Sequence, residues 1–419
     1  MAQTVNKTLL NNGIIILSKS MPHVRSVSMG VWVNVGARDE KADQSGLSHF
    51  IEHMIFKGTK KRSAFQIARE FDAIGGQSNA FTSMEHTCYH ARVLDVHLST
   101  MIGILSDVFL NSVFDDKEIE LERPVILQEF GMSEDNPEDY AHQLAATNFW
   151  GDTPLGRPII GRRKNINRFN RQTLTNFFNH FYQPDKIIIA IAGNLEHDQF
   201  VDMIGPAFEA IPKGKSSIKR KSPRERFQIN IHPKKLEQIH LCLGTKGLSI
   251  TNDQRFAFSL LNTIIGGNMS SRLFQKIREQ SGLAYSVYSY ISSFVDTGNF
   301  GVYTGVHPDN TKAALELMIA ELNNLRTKAV TDNELKDSKE YIKGNLLLAT
   351  ESVDNQMVRL AQNEFHFGKQ ISIQSVLDNF QKITPDDILK LAGDLFATER
   401  RSLTVLGPID PKTNLRDFI

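Results

Sequence analysis

Two histidines and a carboxylate crowd one short stretch, Gly46 to Gly58, in the pattern His49-x-x-Glu52-His53. Residues four apart share one face of a helix, so His49 and His53 can each present a ring nitrogen to a single metal ion. Glu52, next to His53, points into the same space without having to be a ligand. The spacing suits a catalytic zinc site, where two histidines need a further protein donor and one position left open for water or substrate. Two histidines can also sit on a helix surface for no chemical reason, so the third donor decides the weight of the pattern. A second helical stretch, Glu118 to Glu129, carries Glu122 and Glu129 two turns apart on one face, and either could reach the ion.

These side chains are useful only if the elements beneath them are held. Leu47, Phe50, Ile51, Met54 and Ile55 recur at the spacing of an apolar helical stripe, which predicts a helix packed on a core with His49, Glu52, His53 and Phe56 on its other face. Alternation through Val27, Met29, Val31, Val33 and Val35 predicts a strand over 26–36 leading into that helix. A second amphipathic helix is expected over 63–74, ending at Gly75-Gly76. Beyond it lie Gln77 to Thr82 and the strand Thr87 to Val93. Pro124 is expected to kink a helix running through it or to start one there, which puts the placement of Glu122 in question.

With these residues in view, the sequence resembles the inverted-motif zinc metallopeptidases of the pitrilysin and insulysin family, whose signature is His-x-x-Glu-His followed about 76 residues later by Glu. Glu129 stands 76 residues after His53. The resemblance implies one Zn2+ per chain, with His49, His53 and Glu129 as ligands, Glu52 as general base and Glu122 as a supporting acid. It further implies that Asn79, Ala80 and Phe81, within Gly75-Gly76-Gln77-Ser78-Asn79-Ala80-Phe81-Thr82, form an exposed edge strand that pairs with the substrate backbone. A later segment, Gly266 to Ser286, is similar to one in which an Arg and, seven residues on, a Tyr hydrogen-bond the substrate near the scissile carbonyl; Arg278 and Tyr285 hold those positions. With only a short turn at Gly266-Gly267, the chain looks more like the catalytic beta subunit of the mitochondrial processing peptidase and its bacterial relatives than like the non-catalytic alpha subunit. The implied activity is zinc-dependent endoproteolysis of extended peptides or unfolded segments. A non-catalytic peptide-binding or scaffold subunit of a peptidase complex is the rival reading. Insulysin-like members close two halves around a chamber, so one chain of this length is expected to act as a homodimer with a shared active site, or with a paralogous partner chain.

The rest of the chain sets bounds. At 419 residues it suits two domains, and 41% hydrophobic with 23% charged residues is an ordinary globular composition. A formal net charge of +1 gives no reason to expect nucleic acid or a membrane surface as partner. Cys88 and Cys242 lie in different halves without paired spacing, which fits a reducing compartment; with no signal-peptide pattern at the start, the expected location is cytoplasmic. His86, His90 and His97 are read as structural or surface residues, and the acidic run Ser133 to Asp139 as a solvated loop.

Internal echoes complete the picture. Phe65 to Glu70 resembles Phe274 to Glu279, Phe114 to Ile119 resembles Val330 to Leu335, and Ile188 to Gly193 resembles Leu403 to Gly407. The second offset sets Asn345 opposite Glu129, and no His-x-x-Glu-His follows residue 53. The expected fold is therefore α+β, two structurally similar α/β-sandwich halves related by internal duplication, of which only the first can hold zinc. The expected limits are a zinc-binding half over 1–212, a polar basic linker over 213–227 and a non-metal half over 228–419 carrying the Arg/Tyr segment.

Overall fold

The computed structural model describes residues 5–416. Its strands are β1 (Val5–Leu9), β2 (Ile15–Ser20), β3 (Ser26–Val33), β4 (Gln77–Thr82), β5 (Thr87–Leu94), β6 (Ile187–Gly193), β7 (Ile229–Pro233), β8 (Ile239–Lys246), β9 (Ala284–Ser293), β10 (Gly298–Val306) and β11 (Arg401–Gly407). They form a six-stranded sheet in the order β1-β2-β6-β3-β5-β4 and a five-stranded sheet in the order β7-β11-β8-β10-β9. One pair in each sheet is parallel, β2 with β6 and β7 with β11, and the remaining pairs are antiparallel. The expected α+β architecture with two similar halves is the one the chain adopts.

The continuous apolar run in β6 has a direct cause. Ile187, Ile189 and Ile191 enter one core, while Ile188, Ala190 and Ala192 enter another on the opposite face of the same sheet. A strand covered on both faces has no solvent side to mark with polar residues. The first core gathers Val27, Met29, Val31 and Val33 of β3 with the helices α1 (Leu47–Ile55), α2 (Ala64–Ala73), α3 (Leu98–Asn111) and α4 (Asp116–Asp135). The second face is covered by the helix Val353–Phe367, through Val353, Met357, Leu360 and Ala361. In the five-stranded sheet, Leu241, Leu243, Leu403 and Val405 enter one core, and Cys242 and Leu406 meet Ala141 of α5 (Pro137–Trp150) on the other face.

By internal contact the chain forms two compact units. One holds the chain up to Phe130, Arg157–Arg220 and Leu347–Gln370; the other holds Gly131–Gly156, Lys221–Leu346 and Ile371 onward. One change of unit falls inside the stretch read as a linker, between Arg220 and Lys221, but two helical segments are also exchanged. The helix covering the second face of the six-stranded sheet comes from late in the chain, and α5, which covers the five-stranded sheet, comes from early in it. The basic stretch is not all solvated either: Arg220 ion-pairs with Asp39 at 2.8 Å and donates to the carbonyl oxygens of Asn34 and Glu85.

The acidic run Ser133 to Asp139 is not a loop. Helix α4 extends to Asp135, Asn136 caps α5 by accepting from the N–H groups of Glu138 and Asp139, and Pro137 occupies the first turn. Asn followed by Pro is a helix-start pattern, and carboxylates in a first turn are favoured by the helix dipole. Among the described residues no helix is long and apolar enough to cross a membrane.

Candidate metal centre and substrate-facing residues

Helix α1 has nine residues, too few to be stable alone, and it is held by what it buries. Leu47, Phe50, Ile51, Met54 and Ile55 are fully buried, each worth ~2 kcal/mol. The start of the helix is fixed from outside. Gly46 N–H donates to Glu40 Oε2 at 2.8 Å and Ser48 N–H to Glu40 Oε1 at 2.6 Å, so one buried carboxylate satisfies two orphan donors of the first turn. Burial raises the Glu40 carboxyl to about 8, against the lowering effect of those two N–H groups. Gly46 has φ 101°, and a Cβ there would lie 2.7 Å from the Ile160 carbonyl oxygen, so only glycine lets the Pro158–Gly161 turn pass this close.

From this anchored helix His49 and His53 project side by side, ring centroids 4.6 Å apart. Glu129 reaches them from α4: its Oε1 is 3.5 Å from His49 Nε2 and its Oε2 is 3.3 Å from His53 Nε2. Ligand atoms of a tetrahedral zinc with bonds of about 2.1 Å lie about 3.4 Å apart; each contact comes close to that length, one through each oxygen of Glu129. Among the described residues these three are the one group of His, Cys, Asp or Glu whose ligand atoms converge, all within 4.8 Å of one another. Two histidine nitrogens and one carboxylate are a catalytic donor set. Glu129, 46% exposed at its side chain, lies on the solvent side, and His49 is buried. Hydrogen bonds from His49 and His53 hold the Glu129 carboxyl well below the usual range.

Glu122 does not join that group. Its Oε1 accepts from His53 Nδ1 at 2.8 Å, which leaves Nε2 facing Glu129. Helix α4 runs unbroken through Pro124, so the expected kink does not displace Glu122. Burial works against a charged His53, but its hydrogen bonds to Glu129 and Glu122 prevail and raise its pKa. Glu52 lies on α1 outside the converging group, with Oε2 buried and unpaired; His49 Nδ1 is the same. Ser48 Oγ is a third in the same short helix, and buried polar atoms left unpaired call for a reason besides packing.

Strand β4 is the edge of the six-stranded sheet and pairs only with β5. It packs beside α1, and Asn79 and Phe81 are exposed with Ala80 half-buried. In the other unit, Arg278 lies in a π-helical turn, Phe274–Gln280, and Tyr285 is the second residue of the edge strand β9. The two meet: Arg278 Nη1 donates to the Tyr285 carbonyl oxygen at 3.1 Å, and the guanidinium sits 4.7 Å from the centre of the Tyr285 ring. Tyr285 is 79% exposed. His86 is buried against Phe365, and neither it nor His90 or His97 belongs to the converging group.

Two residues escaped sequence reading. Glu40 could have been found only as an acid shortly before a helix start. Lys57 ion-pairs with Glu122 at 2.5 Å and stands four residues after His53, a helical spacing that did signal it.

Models of two domain families match the chain: Insulinase (Peptidase family M16) over residues 15–163 and Peptidase M16 inactive domain over 168–342. An uncharacterized zinc protease of Streptomyces coelicolor is 38% identical, over 98% of this chain and 91% of that protein. The uncharacterized zinc protease YmxG of Bacillus subtilis is 39% identical, over 96% of this chain and 98% of its own length. A solved structure of a protease from Helicobacter pylori superposes with a TM-score of 0.91 at 21% identity, covering 97% of this chain and all 100% of the other.

Proposed function

The chain belongs to the insulinase peptidase family, M16, and from that premise we propose that it is a zinc metalloendopeptidase that hydrolyses extended peptides or unfolded segments, in the manner of a processing peptidase. The observation that carries the reading is the convergence of His49, His53 and Glu129, whose ligand atoms lie within 4.8 Å of one another. Zinc held by these three would polarise the scissile carbonyl and acidify the attacking water. Glu52 takes the proton of that water as its oxygen bonds the carbonyl carbon. It then returns the proton to the amine nitrogen as the C–N bond breaks. Glu122 keeps the His53 ring oriented. The free edge of β4, at Asn79 to Phe81, receives the substrate as an added strand, which demands an extended backbone. Tyr285 and Arg278 hydrogen-bond the carbonyl oxygen as charge develops on it.

Zinc on one half and the Arg/Tyr pair on the other make a homodimer with shared sites the simplest assembly, His49, His53, Glu129 and Glu52 of one protomer serving with Arg278 and Tyr285 of its partner. Cys88 and Cys242, both buried and unpaired, support a reducing, cytoplasmic setting.

The test is hydrolysis of a panel of quenched fluorescent peptides with and without a chelator. Cleavage should stop with the chelator and return with added zinc. Zinc-loaded protein that binds these peptides and cuts none of them would overturn the reading in favour of a peptide-binding subunit.

A further inference from the structure

Lys57 lies just beyond the end of α1, and its Nζ is 2.5 Å from Glu122 Oε2 while Glu122 Oε1 is 2.8 Å from His53 Nδ1. Both oxygens of one buried carboxylate are thereby committed, one to each partner. The backbone around Lys57 is tied on each side. Lys57 N–H donates to the Met54 carbonyl at 3.0 Å, and Val113 N–H donates to the Gly58 carbonyl at 3.2 Å. Gly58 bridges Ser63 and Thr59 bridges Ser112, and Thr59 Oγ1 donates to Asp107 at 2.7 Å. Asp107 in turn pairs with Arg62 at 2.7 Å. Lys57 therefore reaches Glu122 from a turn that cannot easily drift.

We propose that Lys57 is a positioning residue of the metal centre: it holds Glu122 Oε2, so that Oε1 fixes the His53 ring with Nε2 toward Glu129 and the Glu122 carboxylate stays out of the metal's open position. The terminal torsion of a glutamate is broad and two-fold, so hydrogen bonding at one oxygen alone leaves the group free to swing. Two anchors at opposite oxygens remove that freedom. Without the ammonium, a buried carboxylate would keep only one partner, and rotating toward a bound cation would be its cheapest remedy. Partners of ligating histidines set metal affinity through ring orientation, and Lys57 acts one residue further out on the same chain.

The inference rests on the zinc-peptidase reading, so wild-type protein is measured first, for bound zinc and for peptide turnover. Zinc affinity is then read by competition with a chromophoric chelator, together with the rate of zinc release and the thermal midpoint of the metal-free protein. Lys57→Met should weaken zinc binding roughly 10- to 100-fold, and it should lower the metal-free midpoint while leaving unfolding cooperative, because a buried carboxylate oxygen loses its partner. Lys57→Arg, which keeps the charge, should recover most of the loss. In a Glu122→Gln background, adding Lys57→Met should change zinc affinity by no more than about twofold, because the two residues act through one contact. Should Lys57→Met fail to fold, Lys57→Gln carries the same comparison. Affinity for zinc left at the wild-type value by Lys57→Met, or a full additive loss in the Glu122→Gln background, would overturn the proposal while leaving the peptidase reading intact. Wild-type protein that takes up no zinc would overturn both.

Discussion

Strands β2-β6-β3-β5-β4 of one unit and β7-β11-β8-β10-β9 of the other follow the same order with the same parallel pair, yet they carry different chemistry. The register that aligns Phe65–Glu70 with Phe274–Glu279 sets Phe258, Leu261 and Asn262 opposite His49, Glu52 and His53. Phe258 and Leu261 are fully buried core residues. Asn345, opposite Glu129, donates to the Tyr341 carbonyl within its own helix. Where one unit leaves His49 Nδ1 and Glu52 Oε2 buried and unpaired, the other sets Phe258 and Leu261 in its core, while Asn262, opposite His53, keeps a buried, unpaired Oδ1 of its own. Each orphan costs about 1–3 kcal/mol, so His49 and Glu52 cost their unit stability at two places where its twin holds packed apolar side chains. One fold thus supports a site or a plain core according to four side chains. The edge strands differ too: β4 exposes Asn79 and Phe81, and β9 exposes Tyr285 as its second residue.

If the metal is confined to one unit, the largest effect belongs to its ligands. His53→Ala should abolish both stoichiometric zinc and peptide cleavage, read by metal analysis and a fluorogenic assay; zinc retained at one per chain would place the metal elsewhere. Next comes Tyr285→Phe, expected to keep zinc and lower kcat by about 10²- to 10³-fold, as for loss of one oxyanion donor. Mixing it with His53→Ala under subunit exchange sharpens the point. Half the dimers would then carry one intact site, so roughly a quarter of wild-type activity should return. Heterodimers shown to form but inactive would mean that the Arg/Tyr pair does not serve a partner's metal.

A smaller difference should appear in acid. Burial lowers His86 to about 3 and His366 to about 4, and Arg220 lowers both further. In the other unit burial also lowers His142 and His240, but there Glu138 pulls the other way. A histidine depressed in the folded state takes its proton more readily when unfolded. Its stabilisation is complete above an unfolded value of about 6.5 and is lost as pH falls toward the folded one. The unit holding His86 should therefore loosen first on acidification, by on the order of a few kcal/mol between about pH 6 and 4. Hydrogen exchange resolved by segment would show it, and His86→Phe, which keeps the stack on Phe365, should flatten the acid limb.

Much of this was legible beforehand. The stripe Leu47 to Ile55, the strand through Val27 to Val33 and the run Ile187 to Ala192 each read directly from period and length, because local burial writes itself into local spacing. The exchange of α5 and of Val353–Phe367 did not, since periodicity tells which helix face is apolar and not which sheet will cover it. Pro124 misled by a general rule: losing one N–H costs a helix one hydrogen bond, and α4, packed through Ile119, Ile126 and Phe130, runs on regardless. The acidic run misled for the opposite reason: Glu138 and Asp139 look like a solvated charge run, yet they fill the first turn of a helix that Asn136 and Pro137 start.

The most direct measurement is made on Glu52→Gln, which changes one oxygen for an amide and spares all three residues of the converging group. Purified alongside wild type, it should carry one zinc per chain and bind extended peptide with similar affinity, while single-turnover cleavage falls about 10²- to 10⁴-fold, as expected for loss of a general base. Cleavage at the wild-type rate would remove Glu52 from the chemistry and contradict the mechanism proposed for this site.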